Sequence, residues 1–274
     1  GHGAGAGGVE ERRDVAGIAG VTTTAMLAPL AVLVSRSFRL GDGWSLHAWR
    51  TLGAAEVRPG LSLGIDPLAS LFASFRFAAV AAVLSALAGG LSALAIASAR
   101  RHGKLLDVGL MLPLGTSAVT IGLGMLITFD VAPFDWRARW WLIPLGHTLV
   151  ATPFVVRALL PVLRSIPPGQ RDAAATLGAS PARAWLAIDV DHIARPLAAG
   201  AGLAAAISLG EFGATTFLTR AGRETMPIAI ARLLGRAGEL PRAQGFALAT
   251  ILLLATAFII GVAERQGALD ARSS

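Results

Sequence analysis

Six long apolar runs constrain the fold of this chain more than any other feature of its sequence. Each run is close to or above the roughly 20 residues that a helix needs to cross about 30 Å of hydrocarbon. Because lipid offers no partner to backbone N–H and C=O groups, runs this apolar can satisfy those groups only within helices. The sequence therefore predicts an all-α integral membrane protein whose six transmembrane helices lie at residues 15–34, 77–99, 108–129, 140–163, 196–218 and 246–262.

The composition supports a membrane protein and excludes several other classes. Hydrophobic residues make up 54% of the chain and charged residues 15%, a more apolar balance than soluble domains show. The net charge of +7 does not indicate a nucleic-acid-binding protein, because the arginines are scattered between apolar runs and form no basic stripe. The chain has no cysteine, which excludes thiol catalysis, and its five histidines have no metal-ligand spacing.

The two ends of the chain differ in composition from the apolar body. Residues 1–8 are almost all glycine and alanine, and charged residues follow up to Asp14. This pattern predicts a flexible linker or an expression-tag remnant over residues 1–14, because a signal peptide would not begin with a glycine tract. We expect one membrane domain over residues 15–265 and a C-terminal tail over residues 266–274.

The polar loop at residues 164–195 reads as two short helices separated by a turn. Its Pro-Pro-Gly sequence ends at Gly169, and because proline and glycine disfavour helix interiors, we expect the first helix to cover residues 170–177. Gly178 suits the left-handed residue that ends a helix. The Ser-Pro pair at 180–181 can cap and open the second helix.

The same loop resembles the EAA loop of binding-protein-dependent ABC importer permeases. Asp172-Ala173-Ala174, Gly178 after three intervening residues and Ile188 after nine more reproduce that spacing, with Asp in place of the usual Glu. In this family the loop forms a coupling helix that inserts into a groove of the ATPase subunit. An ordinary helical hairpin is the alternative. The residues that the resemblance assigns to ATPase coupling are Asp172, Ala173, Ala174, Leu177, Gly178 and Ile188.

The resemblance implies a fold, a set of partners and a location. It implies a six-helix bundle of the importer permease type in the bacterial cytoplasmic membrane, with the loop and both termini cytoplasmic. It also implies ABC ATPase subunits, an extracytoplasmic substrate-binding protein and a second six-helix permease unit, fused or separate. The sequence has no G-x-x-x-x-G-K-[ST] phosphate loop. ATP and Mg are therefore expected on the partner ATPase, and this chain is expected to be no enzyme and to hold no cofactor or metal.

One acid, Glu211, stands within the fifth apolar run. A charge at membrane depth is costly and usually faces a cavity or a partner group. An ion pair with an arginine of residues 220–242 is one interpretation of Glu211. The other is a translocation path or gate formed by Gly210, Glu211, Phe212 and Gly213.

Four short motifs are similar to the iron(III)/thiamine branch of these permeases, whose members often fuse two six-helix halves in one chain. A glycine-rich start would fit the second half of such a fusion. The motifs are Met-Leu-Pro-Leu at 111–114, Gly-Leu-Gly at 122–124, Pro-Phe at 153–154 and Gly-Glu-Phe-Gly at 210–213.

The loop departs from the usual family pattern where most members carry Leu-Pro, because Val190-Asp191 stands there. Thiamine permeases also tend to lose this proline, so the resemblance implies thiamine or its phosphates as substrate, with iron(III) as the alternative. We expect Pro196 to supply the helix break that the missing proline would have made.

Two other functional classes compete with an importer subunit. An ion-coupled secondary transporter would need paired broken helices and repeat symmetry, and the sequence of one six-helix unit indicates neither. A membrane hydrolase would need a pair such as Ser117 and His147, but no G-x-S-x-G surrounds Ser117. A lone polar residue in a helix bundle more often bonds between helices.

Charge orients the chain only weakly. If residues 164–195 are cytoplasmic, eleven basic residues lie on each side of the membrane, so the positive-inside rule decides nothing by count. The compact cluster at 100–104 lies in a very short loop, where the rule is most reliable, and it favours cytoplasmic termini. Two smaller expectations concern Arg157, which should reach out from the cytoplasmic end of the fourth helix, and residues 226–234, which should form a short amphipathic helix.

Overall fold

The chain is almost entirely helical in the computed structural model, which describes residues 4–53, 56–58, 61–62, 65–99, 103–131, 133, 135–136, 139–220 and 222–270. The all-α expectation is confirmed. Within the described residues the elements are α1 (Ala4–Ser37), α2 (His47–Arg50), α3 (Pro67–Ser98), α4 (Gly103–Gly115), α5 (Ala118–Thr128), α6 (Leu142–Ser165), α7 (Pro168–Thr176), α8 (Pro181–Ala184), the π segment (Trp185–Val190), α9 (Asp191–Gly210), α10 (Gly213–Leu218), α11 (Met226–Leu234) and α12 (Glu239–Asp270).

Two small antiparallel hairpins lie in the loop between α1 and α3. Strand β1 (Arg39–Leu40) pairs with β2 (Gly43–Trp44), and β3 (Glu56–Arg58) pairs with β4 (Leu61–Ser62). The loop is too polar to span a membrane, as its sequence indicates. It connects the ends of two long apolar helices on one side of the bundle.

Five helical stretches are long and apolar enough to cross a membrane, and a bent pair makes a possible sixth. The five are Val15–Ser37, Pro67–Ser98, Leu142–Ser165, Pro181–Gly210 and Glu239–Arg265. The bent pair is α4 with α5, which meet at an angle of 98°. These stretches correspond to the six predicted runs, so the multi-pass architecture is confirmed.

The third span differs from the prediction, because residues 108–129 do not form one straight helix. Chain direction changes between Gly115 and Ser117, where the Ser117 backbone is extended and its Oγ accepts a hydrogen bond from the N–H of Val119 at 3.3 Å. Pro113, near the end of α4, lacks the N–H that a continuous helix would use. The apolar run is therefore long enough for one span, but local chemistry divides it into two helices.

The fifth span is displaced from the prediction toward the N-terminus. The helix expected at residues 196–218 begins at Pro181 and ends at Gly210, and Glu211 has an extended backbone before α10. Pro196 lies inside α9 and makes no break, contrary to expectation, because the loss of one backbone donor does not stop the helix there. The irregularity lies upstream instead, in the π segment.

The core is built by α3, α6 and α9, which pack pairwise against one another. Val155 of α6 is fully buried between glycines of the other two helices. A Cβ added at Gly89 would lie 2.7 Å from the Val155 Cβ, and one at Gly200 would lie 3.3 Å from its Cα. Small residues therefore let the three helices approach closely, as is usual where lipid supplies no hydrophobic drive for association.

The helix α1 lies at the periphery and packs mainly on α12. The most apolar part of its span is 0% buried within this chain. The helix begins at Ala4, so residues 4–14 are helical, whereas their glycine content predicts a flexible linker. At the other end α12 continues to Asp270, into the predicted tail, and residues 271–274 lie outside the described part of the chain.

The predicted short helix at 226–234 is confirmed as α11, with Pro227 in its first turn. Its apolar face is covered by the rest of the chain. Met226, Ala229 and Leu233 are fully buried and pack with residues of α9 and α12. The N–H of Met226 also donates to the Oγ of Ser74 in α3, at 2.7 Å. The apolar face of α11 is therefore part of the core.

Arg157 of α6 has a neighbour that the sequence does not indicate. Its side chain is 56% exposed, in agreement with the expected outward reach, yet its Nη2 lies 3.8 Å from a carboxylate oxygen of Asp107 in α4. Its Nε also donates to the sulfur of Met111 at 3.2 Å. Arg157 thus ties α4 to α6. Of the basic cluster at 100–104, residues 100–102 lie outside the described residues.

Candidate functional site

The short helix predicted at residues 170–177 is present as α7, followed by the predicted turn. It begins at Pro168, two residues earlier than expected, because proline fits the first position of a helix, where its missing N–H has no role. Gly178 has a φ of +81°, and the N–H of Ala179 donates to the carbonyl of Ala174 at 3.0 Å. This is the left-handed glycine ending of a helix. The prediction for Gly178 is confirmed in its geometry.

The second half of the turn also agrees with the sequence. The Oγ of Ser180 accepts a hydrogen bond from the N–H of Arg183 at 3.4 Å, and Pro181 opens α8. The helix α8 then passes through the π segment into α9 without a gap. The loop at residues 164–195 therefore continues directly into a helix that is long and apolar enough to cross the membrane.

The predicted coupling residues lie on an exposed surface. Asp172 and Ala173 are exposed, Ala174 and Ile188 are half-buried, and the Leu177 side chain, at 88% exposure, projects from the end of α7. Trp185 and Leu186 of the π segment are also exposed large apolar residues. Neither is among the residues that the resemblance assigns to ATPase coupling. Leu177, Trp185 and Leu186 are therefore exposed apolar side chains at the end of α7 and in the π segment.

A salt bridge that the sequence analysis also missed connects α7 to the π segment. The Nε of Arg171 donates to Oδ2 of Asp189 at 3.1 Å, and its Nη2 contacts Oδ1 of the same carboxylate. The hydrogen bonds to Asp189 raise the pKa of Arg171 above its usual value. Asp189 is only 2% exposed. Arg171 and Asp189 lie in different elements on either side of the turn at Gly178, so no periodicity within one helix marks the pair.

Glu211 lies between α9 and α10, where its carboxylate caps the second helix. Its Oε1 accepts a hydrogen bond from the N–H of Ala214 at 2.9 Å, and the residue is 9% exposed. A carboxylate at a helix start satisfies a free backbone donor and the positive end of the helix. In the segment where an ion-pair partner was expected, Arg232 instead contacts Glu224 at 2.9 Å. The partner of Glu211 is thus the backbone N–H of Ala214 in the first turn of α10.

His147 is fully buried in α6 and bonds to two neighbouring elements. Its Nδ1 lies 2.7 Å from the Oγ of Ser208 in α9, and its Nε2 lies 2.7 Å from the Oγ1 of Thr215 in α10. The Thr215 hydroxyl donates to the carbonyl of Glu211 at 2.9 Å. Since that proton is committed, Thr215 must accept from an Nε2–H, and Ser208 must donate to Nδ1.

The structure does not bring Ser117 and His147 together. Ser117 caps α5 through its Oγ, while both ring nitrogens of His147 are bonded to Ser208 and Thr215. His147 therefore has the interhelical bonding role that the sequence analysis favoured. Among the described residues, no group of three His, Asp or Glu side chains has a geometry that could hold a metal ion.

Two glycine motifs that are far apart in the sequence meet where α5 crosses α10. A Cβ added at Gly122 would lie 2.6 Å from the Cα of Ala214. A Cβ added at Gly213 would lie 3.1 Å from the backbone N of Val119. Each glycine therefore allows the other helix to come close. Gly210, in contrast, has open space where a side chain would be.

A cavity of about 420 Å³ lies between α3, α4, α5 and α6, below the bend of the third span. Its walls are mainly apolar side chains such as Leu110, Pro113, Phe129 and Leu149. None of the described residues that line it is charged. The cavity is therefore unsuited to hold an ion by itself.

No protein-family model matches this chain. Several curated transport proteins are nevertheless similar to it. The molybdenum transport system permease protein ModB of Mycobacterium tuberculosis is 30% identical over 212 residues, which cover 72% of this chain and 78% of that protein. The sulfate transport system permease protein CysT of Escherichia coli is 29% identical over 204 residues, which cover 70% of this chain and 69% of the CysT chain.

A third relative is named for the transport of a different substrate. A protein of Salmonella typhimurium named as the 2-aminoethylphosphonate transport system permease PhnV is 29% identical over 205 residues, covering 72% of this chain and 73% of that protein. The three similarities extend over most of the membrane domain. Such permeases work with ATPase and substrate-binding proteins and are not enzymes themselves. This multi-pass, all-helical chain belongs to the permease subunits of binding-protein-dependent ABC importers.

Proposed function

We propose that this chain forms part of the translocation path of an importer and is coupled to a separate ATPase through α7 and the turn at Gly178. The observation that carries the proposal is the exposure of this element. An isolated helix of nine residues is marginal in water, and here it presents Leu177 at 88% exposure. A surface of this kind suits a groove on a partner.

The exposed apolar side chains at the end of α7 and in the π segment support the same proposal. Trp185 and Leu186 are exposed next to the junction with α9. Leu177 lies outside the stretches that are long and apolar enough to cross the membrane, so contact with lipid does not explain its exposure, whereas docking to a partner does. The helix would insert into the ATPase groove, and these residues would cover its rim.

A second six-helix unit is part of the proposal. The most apolar stretch of the α1 span is not buried in this chain, and the described cavity has no charged lining. A path for a charged solute therefore needs surfaces from more than one unit. We infer that two such units, fused or separate, enclose the path between them and that lipid surrounds the remaining faces.

The preferred cargo is a small tetrahedral oxyanion. Relatives of nearly equal identity are named for molybdenum, sulfate and 2-aminoethylphosphonate transport. Because similarity of 29–30% accompanies three different cargoes, it characterises the family and not a single substrate. Thiamine or its phosphates, and iron(III) after them, remain the alternative that the short motifs imply. A phosphate group is the chemistry that thiamine phosphates share with the oxyanions.

The coupling proposal predicts selective effects of substitutions in the loop. Gly178→Asp forces a side chain into a left-handed backbone, and Ala174→Arg places a charge at a half-buried position of α7. Both variants should insert into the membrane but lose uptake and co-purification with the ATPase. The control is Gly169→Ala in the same helix, where a Cβ meets nothing within 4 Å.

The measurement is co-purification of the permease with an ATPase encoded beside it, followed by uptake into vesicles. Normal uptake by Gly178→Asp would contradict the coupling role. The cargo is tested separately by calorimetry of the matching substrate-binding protein with sulfate, molybdate, 2-aminoethylphosphonate, thiamine and thiamine phosphate. Binding of thiamine without binding of any oxyanion would reverse the preferred order of substrates.

A further inference from the structure

The stretch from α7 to the start of α9 contains one buried residue, and that residue is an acid. Across residues 169–192, all of which the structure describes, Asp189 is the only buried position. A buried carboxylate is costly unless it is paired and hydrogen-bonded. The other residues of this stretch are exposed or half-buried. The buried Asp189 therefore needs a partner that compensates its charge.

The partner is Arg171, whose guanidinium contacts both carboxylate oxygens of Asp189. Two parallel N–H···O contacts fix the orientation of the two groups as well as their distance. The side chain of Arg171 is half exposed while Asp189 is almost fully covered. The arginine thus reaches from the exposed helix into the junction between α8 and α9.

Little else holds α7 to the rest of the protein. Of residues 169–176, only Ala174 is half-buried and the others are exposed. The side-chain hydroxyl of Thr176 bonds within its own helix, to the carbonyl of Ala173. In the turn that follows, a Cβ added at Gly178 would meet no atom within 4 Å, so side-chain packing does not restrain the turn there. Upstream, the buried Ile166 anchors the chain that enters α7, and the contact of Arg171 with Asp189 joins α7 itself to the π segment.

The other end of the contact lies in a helix that crosses the membrane. Asp189 is in the π segment, which runs directly into α9. His192 stabilises this wider turn, since its Nδ1 lies 2.6 Å from the carbonyl of Ile188 and must carry the proton. At its far end α9 carries Ser208, which bonds to the buried His147. A displacement of Asp189 is thus a displacement of a helix tied to the bundle core.

We propose that Arg171 and Asp189 form a strut that transmits movement of the coupling helix α7 into the membrane-spanning helix α9. The proposal rests on the proposed function, because it assumes that an ATPase moves α7. Without the strut, α7 would pivot about its two flanking turns while α9 stayed in place. The two residues are positioning residues and need not touch ATP, ATPase or cargo.

Three single substitutions test the strut. Arg171→Gln and Asp189→Asn remove one partner each, and Arg171→Lys keeps the charge but cannot make the two-pronged contact. We expect the complex with the ATPase to form, while the rise of ATP hydrolysis that loaded binding protein causes falls by about five- to tenfold, within the range of typical coupling between sites. The matched control is Arg183→Gln, an exposed arginine of the same loop.

The readout separates a strut from a merely stabilising contact. Basal ATP hydrolysis, stimulated hydrolysis and uptake are measured on the same reconstituted complex of permease, ATPase and binding protein. Loss of stability would lower all three together, whereas a broken strut lowers stimulated hydrolysis and uptake and leaves basal hydrolysis. Full stimulation in Arg171→Gln would overturn the proposal, even if Asp189→Asn failed to fold.

A covalent replacement gives a second test. The chain has no cysteine, so Arg171→Cys with Asp189→Cys can be joined by a short bis-maleimide before the ATPase is added. We expect the linked protein to recover stimulated hydrolysis and the unlinked protein to lack it. Equal activity of both forms would overturn the strut. If the wild-type chain bound no ATPase at all, the proposed function itself would fail, which this assay detects first.

Discussion

At the scale of single residues, the close packing of α5 against α10 depends on glycines that lie against the backbone of the other helix. The atoms that a Cβ at Gly122 would meet belong to the Ala214 backbone, its Cα at 2.6 Å and its carbonyl oxygen at 2.7 Å. A flexible side chain could rotate away from such a clash, but a helix backbone cannot. The distance between the two helices is therefore set by the absence of one methyl group.

We predict that Gly122→Ala destabilises the protein while Gly124→Ala does not. Overpacking costs about 1–3 kcal/mol, and the upper end applies where the obstacle is backbone. Gly124 lies in the same helix with nothing within 4 Å of its added Cβ, so alanine there is neutral or slightly favourable. Thermal unfolding in detergent should show a lower Tm for Gly122→Ala alone. Equal melting of the two variants would contradict the close crossing.

His147 illustrates how a buried polar residue organises its surroundings. Its two ring nitrogens connect α6 to both sides of the break between α9 and α10. Bonds of this kind contribute about 0.6 kcal/mol each on average inside a membrane. Their stronger effect is geometric, because Ser208 and Thr215 can satisfy both nitrogens only when α10 keeps its angle to α9. The imidazole thereby defines the shape of the break.

At the scale of elements, two interrupted helices face each other. The third span breaks between α4 and α5, and the fifth breaks between α9 and α10. In each case a side chain accepts from a free donor in the first turn of the second half: Ser117 from Val119 N–H and Glu211 from Ala214 N–H. Breaks within a membrane are tolerated only where the freed backbone groups find such partners.

This pairing was not indicated by the sequence, which gave no reason to expect the broken helices of a secondary transporter. Paired breaks are a feature of that class, yet they occur here in a member of the importer permease family. The difference in class rests on the relatives. A broken helix alone is therefore no argument for ion coupling.

The capping role of Glu211 predicts different results for two substitutions. Glu211→Gln keeps an oxygen that can accept from Ala214 N–H, and we expect nearly normal folding and uptake. Glu211→Ala leaves that donor unpaired, which costs about 1–2 kcal/mol, and should lower both Tm and uptake. The two variants are compared by melting and by vesicle uptake at equal protein density.

The alternative for Glu211 gives the opposite pattern. If its charge lined the translocation path, Glu211→Gln would melt like the wild type but transport poorly. Stable protein with strongly reduced uptake in Glu211→Gln would therefore contradict a purely capping role. The nearby residue Phe212, which is 46% exposed, is the more accessible member of the motif for contact with a partner or solute.

At the scale of the whole molecule, the bent pair α4–α5 determines which side of the membrane each loop occupies. If the pair crosses the membrane, four crossings separate the start of α1 from α7; if it does not, three do. An even number places the N-terminal end and the coupling loop on the same side. Cytoplasmic termini therefore require that this helix pair spans the bilayer despite its 98° bend.

We predict that cysteines at the hairpin and at the coupling helix react from opposite sides of the membrane. Because the chain has no cysteine of its own, Asp42→Cys and Ala175→Cys each introduce one thiol at an exposed position. A membrane-impermeant maleimide should label Asp42→Cys in intact cells and Ala175→Cys only after permeabilisation. Ser85→Cys, at a position that is 0% exposed, is the unlabelled control. Labelling of both exposed positions from outside would show that α4–α5 does not cross.

Several features were determined by the sequence alone, and they share a physical origin. The helical class, the number of apolar runs and the left-handed turn at Gly178 all depend on local properties. The free energy of transferring a run of about 20 residues into lipid is a sum over those residues. The preference for glycine at a positive φ likewise depends only on the backbone at that residue. Such features need no knowledge of distant contacts, so hydropathy and turn chemistry predicted them.

Other features were decided only by the tertiary structure, because they depend on residues that are distant in sequence. His147 and Ser208 are 61 positions apart, and Arg171 and Asp189 are 18 apart. Whether a long apolar run is one helix or two depends on which neighbour satisfies the freed donors and which glycine admits another backbone. The sequence therefore determined that this chain crosses a membrane, while the tertiary contacts determined where its helices break and how its coupling loop is tied to them.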